Sequence, residues 1–360
     1  MQTIVTTSDA LAELAERLEK CAHVGLDTEF LRERTYRAEL CLLQLSSSSD
    51  ATCVDPLAVP DLAPLRTTLT SPTVAKVMHA SRQDVEVLYP LVGLVRPVFD
   101  TQIAAALTGL PAQIGYGELV RRLLGKELAK SHTRTDWSRR PLSPEQIEYA
   151  LDDVRYLLPL KAILEEQLER SGRLHWLAEE LRELEDTRNI APDPADAWLR
   201  IKGLRGLDPA RERLAQALAA WRERRAMERN RPRGWILDDA VLREIVMQVP
   251  RSSERLAAIA DLPAGLLKHC GAELLDCIRS ADVPEPPPPI NTRMRPDPLK
   301  TALVKKLGAV NQTIAADLGL SPEVLATRRD LELLADGRRD VSVLRGWRRD
   351  VIGERLLAAI

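Results

Sequence analysis

Asp27 and Glu29 stand two residues apart at the end of the apolar run VGLDTEF. In a strand that spacing sends both side chains off one face, and two carboxylates on one face suit a hard cation. Asp84 follows the run VAKVMH at the start of an expected helix, where the helix dipole favours a negative charge. Tyr149 and Asp153, four apart, share one face of a second expected helix, from which Asp152 is turned away. Leu151, Val154, Leu157 and Leu158 continue the apolar side of that helix, so Asp153 lies near a core and needs a compensating charge. Taken singly these are ordinary features: a strand end, a capped helix, a helical acid. Four carboxylates converging on one point would repel one another strongly unless cations lay between them. Oxygen ligands suit Mg²⁺ or Mn²⁺ better than zinc. Two such ions about 3.5 to 4 Å apart can activate water and stabilise a leaving oxygen in phosphoryl transfer, so a phosphodiester is the expected substrate.

The elements that must position these residues fall in an α/β front half. HVGLDTEF, ELCLLQL, ATCVD and VAKVMH are short, rich in Val, Leu and Thr, and bounded by polar or Pro-containing turns, as strands are. Ser8 is expected to cap one helix and Ser81 another. Ser143 and Pro144 open a long helix running through EQIEYALDDVRYLLPLKAILEEQLER. From about Asp196 onward no strand is expected; helical patterns are separated by Gly, Pro and Ser breaks. The run VPEPPPPINTRMRPDP has the composition of a stiff extended linker. His79 is expected to form structural hydrogen bonds, and Asp100 to cap the helix after it rather than serve as a fifth ligand.

DTEF, HASRQD and EYALDDVRYLLPL occur in the order and context of the ribonuclease D family, which the chain resembles over most of residues 1–200. FDTQIAAAL and KSHTRTDWSRRPLS add to the likeness. The resemblance implies a ribonuclease H-like α/β fold of the DEDD exonuclease superfamily, in its tyrosine subclass. Carried over by position, it implies that Asp27, Glu29 and Asp153 hold the metal that activates the attacking water. Asp27 would bridge to a second metal, Asp84 would help to hold that ion through ordered water, and Tyr149 would orient the nucleophile. The implied reaction is hydrolysis from a free RNA 3′ end with release of nucleoside 5′-monophosphates, with trimming of tRNA precursor 3′ ends as the family's task.

Basic residues suggest how RNA could be held. Lys130, Arg134, Arg139 and Arg140 lie on an expected loop ahead of the catalytic helix, either contacting phosphates or simply solvated. Between Arg200 and Trp235 there are 11 Lys and Arg against 4 acids, with Arg222, Arg225 and Arg229 as candidate RNA contacts. That stretch resembles the HRDC domain, for which the family implies accessory nucleic-acid binding. The alternative is an amphipathic helix with wet arginines and with Trp221 and Trp235 in a small core. The expected architecture is an exonuclease domain over 1–195, an all-α HRDC domain over 196–283, a Pro-rich linker over 284–298 and a second HRDC-like helical domain over 299–360.

Composition narrows the classes further. The chain has 360 residues, 29% charged and 45% hydrophobic, with a net charge of −2, so a polyanion must be met by local patches. Five cysteines without a CxxC pair argue against a disulfide framework or a Cys-rich zinc site. No signal-like start or membrane-length apolar run is present, and a cytoplasmic monomer without membrane contact is expected. Aromatic residues make up only 4%, too few for a binding mode built on many stacked bases. Two rivals stand beside the exoribonuclease: a DNA-directed 3′–5′ exonuclease with the same carboxylates, and a non-catalytic RNA-binding adaptor on the same scaffold.

Overall fold

A computed structural model describes residues 3–129, 135–191, 193–283 and 298–360. Among them, one mixed sheet holds β1 (Ile4–Val5), β2 (His23–Leu31), β3 (Glu39–Ser46), β4 (Ala51–Val54), β5 (Ala75–Met78) and β6 (Val98–Asp100). Their spatial order is β1-β4-β3-β2-β5-β6. β4 lies parallel to β1 and antiparallel to β3, while β5 lies parallel to β2 and β6. The central β3 is buried from Leu40 through Ser46, which is why it reads as a nearly unbroken apolar run. The four strands anticipated from sequence are present. β1 and β6 were not expected, because two or three residues offer no alternation to read.

Around the sheet run α1 (Ser8–Leu18), α2 (Ala63–Thr70), α3 (Arg82–Val92), α4 (Thr101–Leu107), α5 (Tyr116–Leu124), α6 (Pro144–Arg155), α7 (Leu157–Arg170) and α8 (Leu174–Leu184). The cap of α1 is Thr7 rather than Ser8: Thr7 is extended and its Oγ1 accepts from the Ala10 N–H. Ser143 caps α6 as expected, in a reciprocal capping box with Gln146. The single long helix expected from Ser143 is in fact two, broken at Tyr156. Pro159 explains the break, since it has no N–H for the Arg155 carbonyl and its ring would crowd that oxygen. The break leaves Asp153 in the last turn of α6.

The described residues form two compact units. The first takes in the chain up to Phe30, Leu40–Ile190 and the C-terminal segment ending at Ile360. Residues 299–360, expected as a separate trailing module, share a core with the exonuclease elements: Leu164, Trp176 and Leu177 belong with Leu307, Ile314, Leu334 and Trp347. The rings of Trp176 and Trp347 stack 4.4 Å apart at 12°. The Trp347 indole N–H donates to Glu180 Oε1 at 2.8 Å, its backbone N–H donates to Glu179 Oε2 at 2.9 Å, and Arg348 forks onto Glu180. Gly346 sits at φ 51°, and a Cβ there would strike the Glu179 carboxylate.

The second unit joins Leu31–Glu39 to the stretch beginning at Ala191. Its central helix, Pro209–Arg229, is capped by Asp208 and buries Leu214, Leu218 and Trp221. Helices Asp239–Gln248 and Ala264–Ser280 close over them with Leu242, Ile245 and Leu274. No strand occurs after residue 196 among the described residues. The expected linker over 284–298 lies outside them except for Pro298, which opens the helix Pro298–Leu318.

Candidate metal-dependent active site

Asp27 and Glu29 project from the C-terminal part of β2, and Asp153 reaches them from the last turn of α6. One carboxylate oxygen from each lies within 4.8 Å of the other two. Asp84 arrives from the first turn of α3 and accepts a hydrogen bond from the Thr28 hydroxyl, which ties it to the strand between the other two acids. Asp27, Glu29 and Asp153 are thus brought together, Asp84 is buried beside Thr28, and Tyr149 is partly buried on the same helix as Asp153.

Their electrostatics are those of crowded acids without a cation. Burial holds the Asp27 carboxyl well above its usual range, and Asp84, Asp153 and Glu29 each push it further. Burial, then Asp153 and Asp84, lifts Glu29 to about 8. Burial lifts Asp84 to about 7 in spite of the Thr28 hydrogen bond, and burial together with Asp152 lifts Asp153 to about 7. An all-oxygen cluster of this kind fits a hard divalent ion, whose charge would remove the repulsion. The Tyr149 phenol is also held above its usual range, by burial and then by Asp153, Glu29 and Asp27, so it stays neutral and able to donate. Asp152 faces away and pairs with Arg155, which also holds Glu148 at 2.8 Å.

Three contacts that sequence reasoning missed hold the acids in place. Gly25, two residues before Asp27, lets α6 approach the strand: a Cβ there would run into Ser46 Oγ and crowd the Val154 carbonyl. Ser46 uses the space to donate to Val154 O at 2.8 Å, fixing the residue next to Asp153 against the sheet. Tyr116 spans the break after α6, donating to the Asp152 carbonyl at 3.0 Å and accepting from the Tyr156 N–H at 3.2 Å. Only the glycine in an otherwise apolar strand was a readable signal of close approach.

Asp100 accepts from the Gln102 and Ile103 N–H groups, so it caps α4 as expected, and it also accepts from the Ala80 and Ser81 N–H groups and the Ser81 hydroxyl. Those bonds steady a turn in which Ala80 has φ 54°, and the turn presents Asp84. Ser81 therefore gives its hydroxyl to Asp100 and makes no side-chain cap for α3. His79 is structural, with Nδ1 2.9 Å from Thr101 Oγ1 and Nε2 3.0 Å from the Ile114 carbonyl.

The expected RNA-contacting residues divide. Lys130 and Arg134 lie outside the described residues. Arg139 is exposed and pairs with Asp136 at 3.1 Å. Arg140 is corrected to a support for the site: it forks onto Asp55 at 2.6 and 2.7 Å and donates to the Trp137 and Cys41 carbonyls, both at 2.7 Å. Trp137, held in this way, is buried and stacks on Tyr149 at 6.2 Å and 30°. Arg222 is corrected as well. It is 3% exposed and donates to the Leu237 carbonyl and to Asp239, leaving no free face for RNA. Arg225 is engaged with Glu273 at 3.1 Å and lies over Trp221, whereas Arg229 is exposed. Trp235, which the alternative reading placed with Trp221 in the small core, is on the surface, whereas Trp221 is buried.

A strand-borne acid pair facing a helix-borne acid, with a fourth acid at a neighbouring helix start, is an arrangement suited to metal-dependent 3′–5′ exonuclease chemistry. The family model described as 3'-5' exonuclease matches residues 2–169, and the HRDC domain model matches residues 211–278. Ribonuclease D of Granulibacter bethesdensis is 39% identical over 366 residues, covering 99% of this chain and 92% of its own length. Ribonuclease D of Gluconacetobacter diazotrophicus is 39% identical with the same coverage of both. The crystal structure of Escherichia coli RNase D, described as an exoribonuclease involved in structured RNA processing, superposes with a TM-score of 0.86 at 32% identity, covering 100% of this chain and 98% of that one. The chain belongs to the ribonuclease D family of 3′–5′ exoribonucleases, with an α/β exonuclease fold followed by a helical HRDC domain. No helix among the described residues is long and apolar enough to cross a membrane.

Proposed function

We propose that the chain removes nucleoside 5′-monophosphates one at a time from RNA 3′ ends, with two divalent ions held by Asp27, Glu29, Asp84 and Asp153. The observation that carries this reading is the meeting of Asp27, Glu29 and Asp153 within 4.8 Å, with Asp84 joined to the same strand through Thr28. Bound Mg²⁺ or Mn²⁺ would supply the positive charge that makes a water nucleophilic near neutrality and stabilises the departing oxygen. Asp27, Glu29 and Asp153 would hold one ion, and Asp84 would help to hold the other beside Asp27. Tyr149, neutral and braced by Trp137, donates a hydrogen bond that orients the attacking water. The Arg140 clamp and the Ser46 bond keep Tyr149 and Asp153 on one face of α6 toward the strand acids.

The substrates we assign are structured RNA precursors, tRNA 3′ ends in particular, acted on by a cytoplasmic monomer. The domain division we propose is an exonuclease domain over 1–195, an HRDC domain over 196–283 and, after the linker, a second HRDC-like segment over 299–360 whose apolar side chains join the exonuclease core. The test uses a 3′-labelled oligonucleotide with Mg²⁺, Mn²⁺ or EDTA. Metal-dependent release of labelled mononucleotide is expected. Asp27→Asn should lower it by more than the roughly 10- to 100-fold that loss of a mere outer-sphere partner costs. Binding without cleavage in every divalent metal would favour the adaptor, and equal loss of matched DNA would favour the DNA-directed enzyme.

A further inference from the structure

Trp235 is 61% exposed, while Trp221 of the same unit is 8% exposed at the edge of its core. An exposed indole is costly to leave in water, and this one is displayed on a braced corner. Asn230, at φ 45°, ends the helix Pro209–Arg229, and its side-chain oxygen accepts from the Tyr36 and Arg37 N–H groups, both at 3.1 Å. The Arg231 N–H donates to the Ala226 carbonyl at 3.0 Å, and the Trp235 N–H donates to the Pro232 carbonyl at 2.9 Å. Arg233 forks onto the buried Glu223 at 2.6 and 2.7 Å, and the Tyr36 hydroxyl donates to the same carboxylate at 2.5 Å. The ring is therefore presented by a backbone that has little freedom left to lose on binding.

Its surroundings choose between partners. A protein-binding aromatic anchor normally sits within a patch of other apolar side chains. Here Ile236 and Leu237 are buried, and the exposed neighbours in sequence are polar or charged: Arg229, Asn230 and Arg231 on one side, with the acids Glu228, Asp238 and Asp239, of which Asp238 caps the next helix and Asp239 accepts from Arg222. The Arg231 guanidinium lies 5.7 Å from the indole centroid. A flat ring flanked by cations matches a nucleobase joined to phosphates.

We propose that the Asn230–Trp235 corner is a stacking subsite for one base of single-stranded RNA, with Arg229 and Arg231 meeting the adjoining phosphates. The proposal rests on the RNA-directed reading above and adds a site separate from the carboxylates. The full chain is mixed in EDTA with a fluorescein-labelled single-stranded 20-mer RNA, and anisotropy gives the affinity without turnover. Trp235→Ala should weaken binding by about 5- to 100-fold, the range of one base–aromatic stack. Trp235→Tyr should keep most of the affinity. Arg231→Gln should lower the slope of log K against log salt by about one. Wild-type affinity in Trp235→Ala would overturn the subsite and assign the ring to a protein contact; a wild-type chain that binds no RNA would overturn it too. Failure of the catalytic reading is read separately, as intact oligonucleotide in every divalent metal, and leaves the binding comparison in force.

Discussion

At the scale of single residues, the same crowding that suits the acids to a metal makes the metal-free protein sensitive to pH. Glu29, Asp84 and Asp153 have folded-state pKa values of about 7 to 8, above the ordinary carboxylate range of the unfolded chain. Between roughly pH 4 and 8 the folded state therefore binds more protons than the unfolded state, so these groups lower stability as pH rises. Metal removes the penalty by competing with the protons, and should add most where the acids are ionised. Thermal unfolding at pH 5.5 and pH 8.5, with EDTA or with Mg²⁺, should show a metal-dependent rise in Tm that is larger at the higher pH. A rise of equal size at both would contradict these assignments. Tyr149 acts by orientation, without charge. Tyr149→Phe should lower kcat by about 10- to 100-fold with little change in RNA affinity; matched losses in both would remove that role.

At the scale of elements, the site depends on how closely α6 can lie against β2. Gly25 and Ser46 share one small volume: the missing Cβ leaves room for the hydroxyl, and the hydroxyl holds the Val154 carbonyl. Gly25→Ala should cost about 1 to 3 kcal/mol through overpacking and lower kcat by moving Asp153. Ser46→Ala alone should cost about 1 kcal/mol, since it removes one of the hydrogen bonds to the buried Val154 carbonyl, which keeps the Tyr156 N–H. The double variant should be more stable than the sum of the two predicts, because the alanine removes the oxygen that the new methyl meets. Denaturant titration of all four proteins checks this; strict additivity would mean that the two residues do not share the contact.

At the scale of the whole molecule, the last sixty residues are part of the first compact unit. The Trp176–Trp347 stack and the hydrogen bonds of Trp347 and Arg348 to Glu179 and Glu180 join α8 to the C-terminal segment. Trp347→Ala should destabilise the exonuclease unit itself, by about 3 to 5 kcal/mol as for other buried Trp truncations. Near-wild-type unfolding in urea would show that the segment is only loosely docked. Three of its arginines pair with local acids, Arg328 with Glu332, Arg338 with Asp340 and Arg349 with Glu354.

The sequence by itself determined the chemistry. Carboxylates at strand and helix periodicities, a capped α6 and a tyrosine one turn before the last acid are local patterns, and local patterns survive in a one-dimensional string. It also determined four of the strands and the absence of strands after residue 196 among the described residues. Only the tertiary structure decided that Arg140 and Arg222 serve the fold, that Trp235 is exposed while Trp221 is buried, and that residues 299–360 close onto the exonuclease core. The arginine and C-terminal outcomes depend on partners 15 to 171 positions away, such as Asp55, Leu237 and Trp176. Whether an arginine meets water or a carboxylate is a property of what packs against it, and the residues adjacent to it in the chain do not carry that information.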